Sequence, residues 1–147
     1  MAKKSLILMA VAAGVASAVL SGCGGGDNTQ TGLDNFRGNW TGTHRFYPAN
    51  GGSFQDSGLM NLSISSGGSI EGTMTKSSTN ESVAVFGTVT SRGTFALTWR
   101  FNGFGSDRTI EGPVVVLNGE FRPDNNESRL PTVSGAGGQL EFRLVRD

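Results

Sequence analysis

One side chain of this sequence is a strong nucleophile, and its position says what chemistry it is placed for. Cys23 is the only cysteine among 147 residues. It lies just beyond Lys3, Lys4 and an apolar run from Leu6 to Leu20, with Ser21 and Gly22 between. A basic start and a short apolar run have the form of the n-region and h-region of a secretory signal. The thiol stands at the end of that segment. It has no second cysteine to pair with, so no disulfide framework is expected even in an exported chain. With a single histidine besides, a Cys/His metal cluster is excluded.

Elsewhere the reactive residue types do not assemble into a catalytic pattern. His44 stands alone and reads as a surface residue. Asp107, Glu111 and Glu120 read as solvated strand and turn residues. The 23 glycines do not form a run that follows a strand and opens a helix, so no phosphate cradle is present. No catalytic residue, metal site or cofactor is therefore expected, and the domain reads as non-enzymatic. The 12 basic and 12 acidic residues balance, and loss of Lys3 and Lys4 leaves a formal charge of about −2. With the arginines scattered, nucleic acid is not an expected partner.

The tetrad Leu20-Ser21-Gly22-Cys23 resembles the lipobox of bacterial lipoproteins, in which a Leu and two small residues precede the cysteine. That resemblance implies diacylation of the Cys23 thiol and cleavage just before it. It also implies an envelope protein held by its acyl chains. Each buried CH₂ contributes about 0.8 kcal/mol, so two or three chains anchor almost permanently. Gly24 rather than Asp follows the cysteine, which in that family points to the outer membrane. Leu6 to Leu20, with 15 residues, is shorter than the roughly 20 apolar residues that span a bilayer. It therefore reads as a cleaved signal.

Stepping along the chain, three segments are expected: a signal over 1–22, the lipidated cysteine and a linker over 23–32, and a folded domain over 33–147. Removal of residues 1 to 22 from the 147 leaves 125, the size of one domain. Gly24 to Gly32 has almost nothing to bury, and a Gly-rich coil of that length reaches roughly 15–18 Å.

The folded part reads as β throughout, because period-two alternation recurs and no sustained 3.6-residue period exists. A first strand runs from Phe36 to Tyr47, followed by a loop over Pro48 to Ser57. Met60, Leu62 and Ile64 share one face of the second strand, and Ile70, Gly72 and Met74 one face of the third. The fourth runs from Ser82 to Thr90 with Val83, Val85, Gly87 and Val89 aligned. In the fifth, Phe95, Leu97, Trp99 and Phe101 alternate with Ala96, Thr98, Arg100 and Asn102, which describes one wall of a core. A sixth strand begins near Arg108, and its continuation is ambiguous. Asn118-Gly119 is a strong hairpin signal, placing strands at Pro113–Leu117 and Glu120–Arg122. Pro113 belongs at a strand start, bulge or edge. Pro123 to Gly138 reads as a long polar loop. The last strand is Gln139 to Arg146, with Leu140, Phe142 and Leu144 inward. Eight strands on short links favour an all-β, antiparallel up-and-down barrel, with no free edge. A β-sandwich is the alternative.

Gly38-Asn39-Trp40 resembles the G-x-W of lipocalins. Gly38 to Thr41, Ser69 to Thr75 and Thr98 to Phe101 are similar to the opening, G-T-Y-x and tryptophan strands of avidin-type barrels. The resemblance implies a small up-and-down barrel. Biotin binding does not carry over, since Gly42 and Met74 stand where that family has its Asn and Tyr, and its later tryptophans are missing.

Trp40 is expected to plug one barrel end. Trp99, Phe95, Phe101 and Met74 are the candidates to line a pocket, with plain core packing as the other reading. Gly72 and Gly87 are expected to leave room inside. Two functions follow: a lipid-anchored module holding a small apolar or amphipathic ligand, or a solid barrel contacting an envelope protein through its outer face and loops 48–57 and 123–138.

Overall fold

The computed structural model describes residues 32–50, 52–53, 55–135 and 137–147. Cys23, the signal and most of the linker lie outside these. A one-turn helix, α1 (Leu33–Phe36), precedes nine strands: β1 (Gly38–Tyr47), β2 (Asp56–Ile64), β3 (Ser69–Lys76), β4 (Glu81–Val89), β5 (Thr94–Trp99), β6 (Arg108–Leu117), β7 (Glu120–Pro123), β8 (Leu130–Ser134) and β9 (Gln139–Arg146). Among the described residues no helix is long and apolar enough to cross a membrane.

The strands form one antiparallel sheet that closes on itself. β1 to β6 pair in chain order, and β1 pairs with β9 over Trp40↔Arg146 to Tyr47↔Gln139. The closure rules out a sandwich. The wall has eight positions although nine strands build it. β7 pairs with the second half of β6 and β8 with the first, while β9 pairs with both. β7 and β8 thus fill one position in succession, with residues 124–129 looping out between them.

This arrangement corrects the expectation of a structureless loop over Pro123 to Gly138. Its middle is β8, in which Leu130 is fully buried opposite Leu140. Leu130 is the one buried residue of this strand, so alternation along it is faint. Three smaller differences follow from local chemistry. Phe36 belongs to α1, because Arg37 N–H bonds to Leu33 O and Gly38 turns the chain at φ 126° before the ladder starts. The fifth strand leaves its ladder after Trp99, the last residue paired with β6, although Phe101 stays buried in the following loop. β6 is continuous, and Pro113 sits where pairing with β5 ends and pairing with β7 begins. The missing N–H is tolerated at this handover. Asn118 (φ 53°) and Gly119 (φ 80°) form the tight turn their types favour.

The interior is filled by side chains, as expected for eight strands. The Phe95, Phe121 and Phe142 rings meet with centroids 5.3 to 5.6 Å apart. Gly72 and Gly87 do not leave room. A Cβ on Gly72 would lie 2.0 Å from Asn61 O, and one on Gly87 2.1 Å from Ala96 O. The backbone of the neighbouring strand occupies that space, so these glycines let the wall coil tightly.

Candidate functional site

The register places different chemistry at the two ends of the barrel. At one end lie the start of β1 and the end of β2, joined by Gly38↔Ile64. Here α1 folds over the mouth. Leu33 reaches Gly68, and Phe36 reaches Gly93 across the opening. Trp40 lies beneath, buried, with its ring 5.4 Å from that of Phe121. Its indole N–H donates to Phe36 O at 2.6 Å. The Arg146 guanidinium carbon sits 4.8 Å from the Trp40 ring centroid, and Nη2 donates to Asn35 O. Burial with its polar atom satisfied holds the ring in place beneath α1.

At the opposite end lie the end of β1 and the start of β2, joined by Phe46↔Asp56. Among the described residues, the buried polar or charged side chains are His44, Asp56 and Arg108, at 1%, 5% and 9% exposure. All three belong to this end. Each occupies an inward position that the alternation of its strand otherwise gives to apolar residues. His44 lies between Trp40 and Phe46 in parity, Asp56 before Met60 and Leu62, and Arg108 before Ile110.

Their partners are incomplete. His44 Nε2 donates to Thr75 O at 2.9 Å. A carbonyl only accepts, so the proton is on Nε2, and Nδ1 carries a buried lone pair without a partner. Burial holds the His44 pKa below the ordinary histidine value, while the Thr75 bond and the Asp56 charge oppose the shift. The approach of ring and strand requires Gly58, where a Cβ would lie 1.6 Å from Thr75 O and 3.1 Å from His44 Nε2. Asp56 accepts from Ser57 N–H through Oδ1. Its Oδ2 is 3.3 Å from Lys76 Nζ, an ion pair outside hydrogen-bond geometry.

Arg108 Nη1 donates to Gly137 O at 2.7 Å. Its guanidinium carbon lies 4.7 Å from the Phe46 ring centroid and 4.1 Å from that of Phe104. Nε is buried and unpartnered, and burial lowers the Arg108 pKa. Asp107, next in sequence, lies instead 3.9 Å from Arg100. Trp99 is 6.1 Å from Phe46, and Phe101 is 5.7 Å from Phe104. This end therefore holds Arg108 among aromatic side chains, together with the His44, Asp56 and Lys76 group.

The four candidates for lining a pocket divide between middle and mouth. Phe95 and Met74 are 0% exposed, and Phe95 packs on Phe121 and Phe142. Trp99 and Phe101, each 2% exposed, are among the aromatic side chains of the polar end. A surface groove of about 350 Å³ runs outside β4 and β5, lined by Val83, Ala84, Phe86, Thr98, Trp99, Arg100 and Asp107. Asp56, Lys76, Arg108, Phe46 and Phe104 were not among the expected site residues, and His44, expected on the surface, is buried. Parity alone carried a signal: residues 40, 44 and 46 share one face of β1.

The fold defines a small closed antiparallel barrel, covered at one end and polar at the other. Compared with family models, curated proteins and solved structures, the chain matches none. Among the described residues no group of three or more His, Asp or Glu side chains could hold a metal ion.

Proposed function

We propose that the protein is a lipid-anchored, non-enzymatic protein of the bacterial envelope, and that its solid barrel presents the polar end away from the membrane. The Leu20-Ser21-Gly22-Cys23 tetrad supports the anchor, and the observation that carries the orientation is where the chain enters the barrel. α1 and the start of β1 lie at the covered, apolar end, so residues 23–32 join the domain there. An anchor on Cys23 places that end toward the bilayer. The ten residues of β1, at about 3.3 Å each, hold the polar end up to ~30 Å further out. Complete burial of Phe95 and Met74 supports contact through surfaces and ends rather than a ligand within the middle of the barrel. Gly24 supports the outer membrane as the destination.

Replacement of Cys23 by Ala tests the anchor. Fatty-acid labelling of the protein and its recovery with membranes should both be lost. Retention of label and membrane association in the variant sinks the reading.

A further inference from the structure

Arg108 is a buried cation that pairs with no carboxylate among the described residues, and the groups around it describe what it would take. We propose that the polar end binds a small organic monocarboxylate, with its acid group on Arg108 and its apolar part on the rings of Phe46, Phe104 and Trp99. Three observations converge on this. Arg108 Nε is an N–H donor, 9% exposed as a residue and unpartnered, and a buried guanidinium is the group best matched to a carboxylate. The cation is unbalanced: among the described residues Asp56 pairs with Lys76 and Asp107 with Arg100, so neither carboxylate offsets Arg108. A monoanion balances it. The walls around the guanidinium are aromatic, with Phe46 and Phe104 against it and Trp99 and Phe101 behind them.

Access is through Phe104. It lies outside the strands, only half-buried, between Gly103 and Gly105, where an added Cβ would meet nothing within 4 Å. Among the described residues Phe104 is the half-buried ring against the guanidinium, so its displacement exposes Arg108 without opening the wall. The interior beyond Phe95 and Met74 stays filled, so the ligand is a small molecule held at the mouth. The inference does not depend on the anchor, and Cys23→Ala leaves it untouched.

The test uses the full-length chain in a neutral detergent, titrated with phenylacetate and with phenethyl alcohol as its uncharged counterpart, at matched sodium chloride. Phenylacetate should raise the melting temperature and change tryptophan fluorescence saturably, and the alcohol should bind at least about tenfold more weakly. Arg108→Met should remove that preference for the acid, whereas Arg146→Met, at the covered end, should leave it intact. If Arg108→Met does not fold, the wild-type Arg108 Nε–H resonance, assigned through Arg108→Lys, should still shift on addition of phenylacetate. No response of the wild-type protein to phenylacetate overturns the proposal. So does equal binding of acid and alcohol, undiminished preference in Arg108→Met, or an Arg108 resonance that does not move.

Discussion

The two ends of this barrel are built from the same strands and solve opposite problems. At the covered end every large inward side chain is apolar or, like the Trp40 indole, has its polar atom bonded. At the polar end His44, Asp56 and Arg108 each keep a buried atom without a hydrogen-bond partner. A buried donor or acceptor left unsatisfied costs about 1–3 kcal/mol, so the polar end gives up stability that the covered end and middle must supply. Proteins tolerate such groups where function requires them. The difference teaches that one end of a small barrel can carry buried charge while its aromatic side chains stay packed.

The sharpest way to break this comparison is to cut into the packed interior near each end. Trp40→Ala should cost about 3–5 kcal/mol in denaturant unfolding, the range for loss of a large buried aromatic. That is a large share of the roughly 5–15 kcal/mol of a typical domain. Trp99→Ala should cost about the same if packing is as close beneath the aromatic side chains of the polar end. A loss well under about 2 kcal/mol for Trp99 alone would show slack around it, and would extend the ligand's apolar seat from the mouth toward Phe101.

A smaller effect separates the ends by pH. Burial holds the folded-state pKa of His44 below the unfolded value of about 6.5. As pH falls through that value the unfolded chain takes up a proton that the folded one resists. Stability is therefore full above about pH 6.5 and declines below it, by at most about 1.4 kcal/mol per pH unit for one group. Unfolding of wild type and His44→Leu between pH 8 and pH 5 (a window set by the histidine range) should show the shallower acid decline in the variant. Parallel profiles would contradict neutral burial of His44.

The smallest effect is expected where the polar contacts look most elaborate. Arg108→Met removes the bond to Gly137 O but also an unpaired buried charge, and its methylene stem is replaced by a chain of similar length. The two terms offset, and stability should change by less than about 1 kcal/mol. A loss of several kcal/mol would mean that Arg108 mainly fastens the Gly137 segment to the barrel.

Much of the wall was legible because its alternation is strong. Met60, Leu62 and Ile64, Phe95, Leu97 and Trp99, and Leu140, Phe142 and Leu144 all point inward, and a period of two permits only one such placement per strand. The turn at Asn118-Gly119 was legible because few residues accept positive φ twice in succession. The candidate site was less so. His44, Asp56 and Arg108 have the right parity, but a polar residue at an inward position near a strand end carries no mark that distinguishes it from a solvated one.

Local chemistry in the sequence therefore determined the strands, most of the turns and the inward faces, because alternation and turn preference act over a few residues. Only the tertiary structure decided the closure of β1 on β9, the succession of β7 and β8 in one wall position, and the gathering of charges at one end. Each of these depends on pairing between residues far apart in the chain. Trp40 meets Arg146, and Arg108 meets Gly137, only once the sheet has curled round far enough for its first strand to find its last.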